Sequence, residues 1–134
     1  MPPASVAVLT RTRRAGLLWV AASPLGRPVG FALMAESAGA AWLDQLSVLD
    51  RWQGRGLGRA LIERTAQEAR QRGYRALLLS TYRDVPWNAP YYARRGFVEW
   101  PLGAWDGPTR RQMARANAHG HPSWRRCVMI RALD

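Results

Sequence analysis

Apolar runs of strand length open the chain and give way to helical spacing in its middle. Leu17 to Ala22 is one such run, Ser-Pro-Leu-Gly-Arg-Pro supplies turn chemistry, and Val29 to Glu36 is a second run, so a hairpin is expected. Ser37 to Gly39 turns the chain into Ala41 to Leu49, giving three antiparallel strands in series. Strict alternation along the third would place Trp42, Asp44, Leu46 and Val48 on one face, with Leu43, Gln45, Ser47 and Leu49 on the other. From Leu57 to Arg72 the small or apolar positions Leu57, Ala60, Leu61, Thr65, Ala66 and Ala69 recur at helical spacing. Glu68 and Arg72 form a favourably ordered i, i+4 pair, and Gly73 is placed to end the helix. Arg75 to Thr81 is a continuous apolar run, expected as a strand covered on both faces and parallel to the strand before the helix. Asn88 to Arg95 predicts a short helix, Phe97 to Trp100 a strand, Thr109 to Ala118 a helix and Arg125 to Ala132 a last strand. Residues 1–16 carry two prolines, a basic cluster and one short apolar piece, Val6 to Leu9, and are expected to be irregular. With no internal repeat and no linker, residues 1–134 read as a single α/β domain around a mixed sheet.

The segment between the third strand and the first helix, Gln53-Gly-Arg-Gly-Leu-Gly58, is where chemistry concentrates. Glycines let the backbone take positive φ and approach a ligand closely, and the first N–H groups of a helix are unpaired donors at the positive end of its dipole. The arrangement suits a phosphate group; it also suits a plain tight turn. A phosphate-binding loop of the nucleotide-hydrolysing type requires a lysine, and the chain has none. A dinucleotide fingerprint requires a different glycine rhythm and an acidic residue about 20 positions later; the stretch Gly73 to Leu79 is free of acid.

Composition narrows the partners. Hydrophobic residues make up 48% of the chain, which excludes a disordered protein. No apolar run approaches the roughly 20 residues needed to cross a bilayer, and the N-terminus lacks a signal-like core, so a cytoplasmic location is expected. The formal charge is +11, carried by arginine alone. That favours an anionic partner. The arginines are scattered rather than massed, so a ligand with several phosphates fits better than nucleic acid, and no membrane partner is expected. The lone Cys127 lies in an apolar run and reads as a buried thiol. His119 and His121 have no third ligand at metal spacing, so no metal is expected.

Two motifs stand in order along the chain: Gln-x-x-Gly-x-Gly at Gln53, Gly56 and Gly58, with Val48 five residues earlier, and Asn88 followed by Tyr92-x-x-x-Gly96-Phe97. Together they resemble the GCN5-related N-acetyltransferases (GNAT), and the resemblance covers Leu17 to Leu133. It implies the GNAT acyl-CoA N-acyltransferase fold, with antiparallel strands followed by strand-helix-strand. It also implies transfer of an acetyl group from acetyl-CoA to a primary amine by direct attack in a ternary complex. Under it, the backbone of Leu46 to Val48 would bond the pantetheine arm, with the Val48 N–H polarising the thioester carbonyl. Amides of Gln53, Gly54, Arg55, Gly56, Gly58 and Arg59 would hold the pyrophosphate, helped by the Arg55 or Arg59 side chain. Asn88 would bond the pantetheine, and Tyr92 would protonate the departing thiolate or hold it by a hydrogen bond; otherwise Tyr92 is a core aromatic beside Phe97. Asp44 is a base candidate, directly or through water, and equally a strand-edge aspartate paired with arginine; Glu36 and Glu99 are weaker candidates.

The pattern departs from the family at its start. Members carry a strand and two helices before the hairpin, and only residues 1–16 precede it here, so that strand and those helices are expected to be lacking. The acceptor wall would then be incomplete. The alternative reading is a non-catalytic coenzyme A-binding or interaction module, and the strand edges left uncovered leave room for a homodimer. A second departure, Asp50 where a proline is common, carries no expected consequence.

Overall fold

The computed structural model describes residues 5–11, 16–37, 39–82, 85–118 and 126–134. Seven strands form one sheet: β1 (Ser5–Arg11), β2 (Leu17–Ala22), β3 (Pro28–Ser37), β4 (Ala40–Val48), β5 (Ala76–Tyr82), β6 (Val98–Trp100) and β7 (Arg126–Ala132). Their order is β1-β2-β3-β4-β5-β7-β6. Every neighbouring pair is antiparallel except β4 and β5, which helix α1 (Leu57–Gln71) joins as a parallel crossover. Helix α2 (Asn88–Arg94) follows β5, and α3 (Gly107–Ala118) precedes β7.

The helices divide between the two faces. The α1 face carries Leu57, Leu61, Ile62, Ala66 and Ala69 against Trp19, Met34, Leu43, Leu77 and Leu79. Ala60, which helical spacing had placed in this stripe, is exposed, and Ile62 is buried in it instead. Tyr91 and Tyr92 of α2 pack against this same core, as does the buried Phe97. On the other face Met113 of α3 and Trp105 meet Trp42, Leu78 and Val128. The Asp106 carboxylate accepts the Thr109 N–H at 2.8 Å, capping the start of α3. Glu68 and Arg72 pair as expected, at 2.9 Å, and Arg72 also reaches Glu36 at 2.6 Å. Cys127 is buried in β7.

Two expectations are corrected. Residues 5–11 are not irregular: Ser5–Arg11 forms an edge strand paired in antiparallel register with β2, so a strand does precede the hairpin. Only residues 12–16 separate β1 from β2. The single face shared by Trp42, Asp44, Leu46 and Val48 also fails, because β4 carries a bulge. Leu33 pairs with Gln45 and Met34 with Leu43, so Asp44 is an extra residue with no partner in β3. Before the bulge Trp42 faces α3; after it Leu46 and Val48 pack on the α1 side.

The bulge also bears on pairing with β5. β4 and β5 are in register only at Ala41–Leu77 and Trp42–Leu78, and beyond these residues the two strands are unpaired. A gap therefore opens in the middle of the sheet, flanked by β4 from Asp44 to Val48 and by the second half of β5.

Leu61 is fully buried at the centre of the α1 face. Leu61→Ala is expected to destabilise the fold by about 2–5 kcal/mol, seen as a lower urea midpoint at an unchanged slope.

Candidate active site

The loop after β4 is built by local chemistry. A 3-10 turn at Asp50–Trp52 buries Trp52, and the Gln53 side chain then folds back so that its amide donates to Val48 O at 3.1 Å and to Asp50 Oδ1 at 3.4 Å. Gly54 and Gly56 take φ of +76° and +82°, a region where a side chain would be strained. Gly56 caps α1 without a side-chain acceptor, and no acidic residue lies in the first turn. The N–H groups of Leu57, Gly58 and Arg59 therefore have no intrahelical acceptor and point, with the helix dipole, toward any anion placed there.

Beside the loop, the gap edge of β4 presents donors. The Leu49 N–H donates to Val29 O at 2.9 Å, toward β3. Strand alternation then turns the N–H groups of Leu46 and Val48 to the opposite edge, where β5 no longer pairs. The Val48 carbonyl on that edge is taken by Gln53, which leaves the N–H groups available.

The loop, the end of β4, the start of α1 and one face of α2 enclose a cleft of about 270 Å³. Leu46, Val48, Gln53, Gly54, Gly56, Gly58, Arg59, Asn88 and Tyr92, all singled out from the sequence, line it. Arg55 does not line it. Its guanidinium lies 4.8 Å over the Trp52 ring and donates to Arg51 O at 3.1 Å, beside the mouth of the cleft. Asn88 is anchored through its amide, which donates to Thr81 Oγ1 of β5 at 3.0 Å.

Ser47 and Leu57, which fall within the backbone stretches read from the sequence, also line the cleft, as do Trp52, Trp87, Tyr91 and Arg95, which were not singled out. For α2 a signal existed: Asn88, Tyr91, Tyr92 and Arg95 stand at i, i+3, i+4 and i+7, one helical face. The Tyr91 hydroxyl rests where a Cβ on Gly58 would sit, with the tyrosine Cζ 3.3 Å from that point, so position 58 has no room for a side chain while Tyr91 stays in place. Arg95 stacks 5.3 Å from the Tyr91 ring centroid, and its buried Nε–H has no acceptor among the described residues.

Tyr92 packs edge-on against Phe97 and Tyr91, with centroids 5.9 and 5.4 Å away. The residue packs against the core cluster and also lines the cleft. Burial, reinforced by the neighbouring Tyr91, pushes its phenol up to about 12.

Asp44 is not in the cleft. The bulge turns it to the α3 face, where it borders a cavity of about 40 Å³ with Trp42, Ser80, Gln112, Met113 and Arg126. Its side chain keeps an exposed edge, yet the packing around it desolvates the carboxyl and raises its pKa, against the opposing pull of Arg126. Glu36 is engaged by Arg72 and the Tyr74 hydroxyl, and Glu99 lies exposed on β6; neither borders the cleft. His119 and His121 lie outside the described residues. Among the described residues no cluster of histidine, cysteine and carboxylates could hold a metal ion, and no helix is long and apolar enough to cross a membrane.

The family model of the acetyltransferase (GNAT) domain matches residues 14–99, more than half of the chain. The chain belongs to the GNAT family. Solved structures carry the same fold as this GNAT chain. A GNAT-family acetyltransferase from Staphylococcus aureus Mu50 superposes with a TM-score of 0.70 at 16% identity, over 89% of this chain and 68% of that one. N-acetylglutamate synthase from Neisseria gonorrhoeae, complexed with coenzyme A and N-acetyl-glutamate, gives 0.70 at 22% identity over 87% of this chain and 26% of its own. The PaiA N-acetyltransferase from Thermoplasma acidophilum, in complex with coenzyme A, gives 0.65 at 16% over 87% and 60%.

The Tyr92 environment of this GNAT chain has a measurable consequence. The unfolded chain releases the phenolic proton near the ordinary value of 10.0, whereas the folded chain holds it until about 12. The resulting stability is whole below the unfolded value and is lost as pH rises through the folded one. Phenolate absorbance should therefore show a last titration phase that Tyr92→Phe removes, and Tyr92→Phe should flatten the loss of stability between those two pH values.

Proposed function

We propose that the protein is an acetyl-CoA-dependent N-acetyltransferase that acts on a primary amine by direct transfer. The observation that carries this reading is the meeting, around one cleft, of an uncapped helix N-terminus, two strand N–H groups facing a gap in the sheet, and a protonated, half-buried tyrosine.

In this reading the pyrophosphate sits on the N–H groups of the first turn of α1, with Arg59 beside it. The Arg95 Nε–H, without an acceptor among the described residues, adds a donor on the opposite wall. The pantetheine arm runs back along β4 as if it were the missing neighbour of that strand, bonding the backbone between Leu46 and Val48. A strand N–H, assigned to Val48 from the sequence, polarises the thioester carbonyl and takes the charge that develops on its oxygen.

The amine arrives as an ammonium ion and loses one proton to Asp44 through water, since Asp44 lies outside the cleft. Its nitrogen then attacks the thioester carbon, the C–S bond breaks, and the nitrogen gives up its second proton as the amide forms. One of the two protons ends on the coenzyme A sulfur and the other leaves to solvent. Tyr92 faces the sulfur as a neutral hydrogen-bond donor. With its phenol at about 12, full proton transfer to a thiolate near 8.5 would run uphill by about 5 kcal/mol. Of the two roles read for Tyr92, the hydrogen bond is therefore the better supported.

Calorimetric titration with acetyl-CoA and a free-thiol assay over an amine panel test the proposal together; binding without thiol release would favour the non-catalytic reading. Tyr92→Phe should lower kcat by about 10- to 100-fold, the worth of one hydrogen bond to a charged group, with acetyl-CoA affinity retained. Asp44→Asn should lower kcat by about 100-fold or more, again with affinity retained, and unchanged turnover in both variants would remove these assignments. Gly58→Ala should displace Tyr91 and weaken acetyl-CoA binding by about tenfold, or about 1.4 kcal/mol. Adding Tyr91→Phe should recover part of that loss, because the clashing hydroxyl is gone.

A further inference from the structure

A groove of about 1020 Å³, larger than the cleft, lies between the β2–β3 turn and the residues that leave β4. Two leucines that border it stand in solvent: Leu25, in the turn, is 86% exposed, and Leu49, just past β4, is 54% exposed. Turns ordinarily carry polar residues, and neither leucine belongs to a core cluster. Leu25 is not exposed through slackness. The turn is tied across by Ser23 N–H to Arg27 O at 2.8 Å, by Gly26 N–H to Ser23 O at 2.8 Å and by Arg27 N–H to Ser23 Oγ at 3.2 Å. Pro24 and Pro28 restrict the backbone on either side of these bonds. The leucine is thus held out in one backbone position, and a molecule docking on it would order little further chain.

The groove continues onto the face of the sheet that α1 does not cover. Pro28, Val29, Ser47 and Leu49 border both the groove and a second hollow of about 260 Å³, where Leu18, Val20 and Phe31 are only half-buried. No residue of α1, α2 or α3 borders either hollow. The result is one continuous apolar track, and exposed tracks of this kind mark places where another molecule binds.

Charge says which molecule. Arg27, Arg51 and Asp50 are the charged residues that border the groove. Asp50 accepts from the Gln53 amide at 3.4 Å, whereas neither Arg27 nor Arg51 has a carboxylate partner among the described residues. The Arg55 guanidinium lies alongside, donating to Arg51 O at 3.1 Å. A second copy of this chain, itself at +11, would bring like charge to like. A bilayer surface would lie across the hollows without filling them, while a polypeptide can send side chains into both.

We infer that this track docks a segment of a partner protein in which large apolar residues are interspersed with aspartate or glutamate. The apolar side chains enter the two hollows beside Leu25 and Leu49, and the carboxylates meet Arg27 and Arg51. Ser47, Val48 and Trp52 border both the groove and the cleft, so the docked segment lies next to the cleft. The inference does not depend on the acetyltransferase reading, in which Leu25, Arg27, Leu49 and Arg51 have no role. A failure of acetyl-CoA to bind would overturn that reading and leave this one standing.

The test begins with a random peptide library displayed on phage and panned against the whole chain, the selected peptides then being synthesised and titrated by calorimetry. They should combine large apolar residues with aspartate or glutamate. Leu25→Ser and Leu49→Ser should each weaken their binding by about fivefold or more, as expected for anchor residues of an interface. Both positions are exposed, and an unchanged urea midpoint would show that each variant folds. Replacing Arg27 and Arg51 together by alanine should weaken binding and reduce its dependence on salt. The inference is overturned if no peptide is selected, if the selected peptides lack acids, or if their binding is the same in both leucine variants. Two further measurements decide against the other occupants. Binding to phosphatidylglycerol vesicles that Leu25→Ser removes would make the track a membrane contact, and self-association in sedimentation that Leu25→Ser removes would make it a contact between copies. Either result would also overturn the inference.

Discussion

One residue too many in β4 organises the site. Asp44 has no partner in β3, and the register change it forces does two things at once. It turns the rest of β4 over, so that Leu46 and Val48 join the α1 side while Asp44 itself stays with Trp42 on the α3 side. It also stands where β4 and β5 stop pairing, which exposes backbone donors in the middle of a sheet rather than at its rim. Unpaired strand edges are ordinarily hidden. Here an interior edge stays open and is bordered by the uncapped start of α1, and both features favour a ligand that carries carbonyl and phosphate oxygens.

The charge distribution follows the same logic on a larger scale. A chain with twenty arginines and nine acids is strongly repelled by itself, and several of its arginines are consumed locally. Arg72 is held by Glu36 and Glu68, Arg131 by Glu63, and Arg55 by Trp52 and a backbone carbonyl. The buried donors on Arg95 and Arg126 that have no acceptor among the described residues lie in the cleft and in the opposite cavity. Local need, rather than net charge, therefore distinguishes the arginines that bear on function.

Most of the architecture was legible in the chain because punctuation and periodicity agreed. The glycines at 54, 56 and 73 mark real positive-φ positions, and the apolar stripe of α1 recurs at the expected spacing, with Ile62 in place of Ala60. The residues singled out around the glycine loop and on α2 meet at one cleft for the same reason, since they are local in sequence or lie on one short helix. What escaped depends on long-range pairing. A bulge is defined by the partner strand, and nothing within Ala41 to Leu49 shows that β3 offers one residue fewer opposite Asp44. The strand at Ser5–Arg11 likewise exists because β2 offers it an edge, not because its own composition demands it. The opposite cavity draws on β4, β5, α3 and β7, a convergence that only the folded chain brings about.

Helix α2 contributes no fully buried residue, although Asn88, Tyr91, Tyr92 and Arg95 form a whole wall of the cleft. Its hold on the body is the Asn88–Thr81 bond, a set of aromatic edge contacts and the partly buried Ala89, Tyr91 and Tyr92 packed on the main core. The opposite wall, β4 with the start of α1, is rooted in the main core. One jaw is thus fixed and the other is held by little free energy, the condition under which a segment opens locally without unfolding the rest. Any molecule in the cleft is thus gripped between a wall with many buried side chains and one with none.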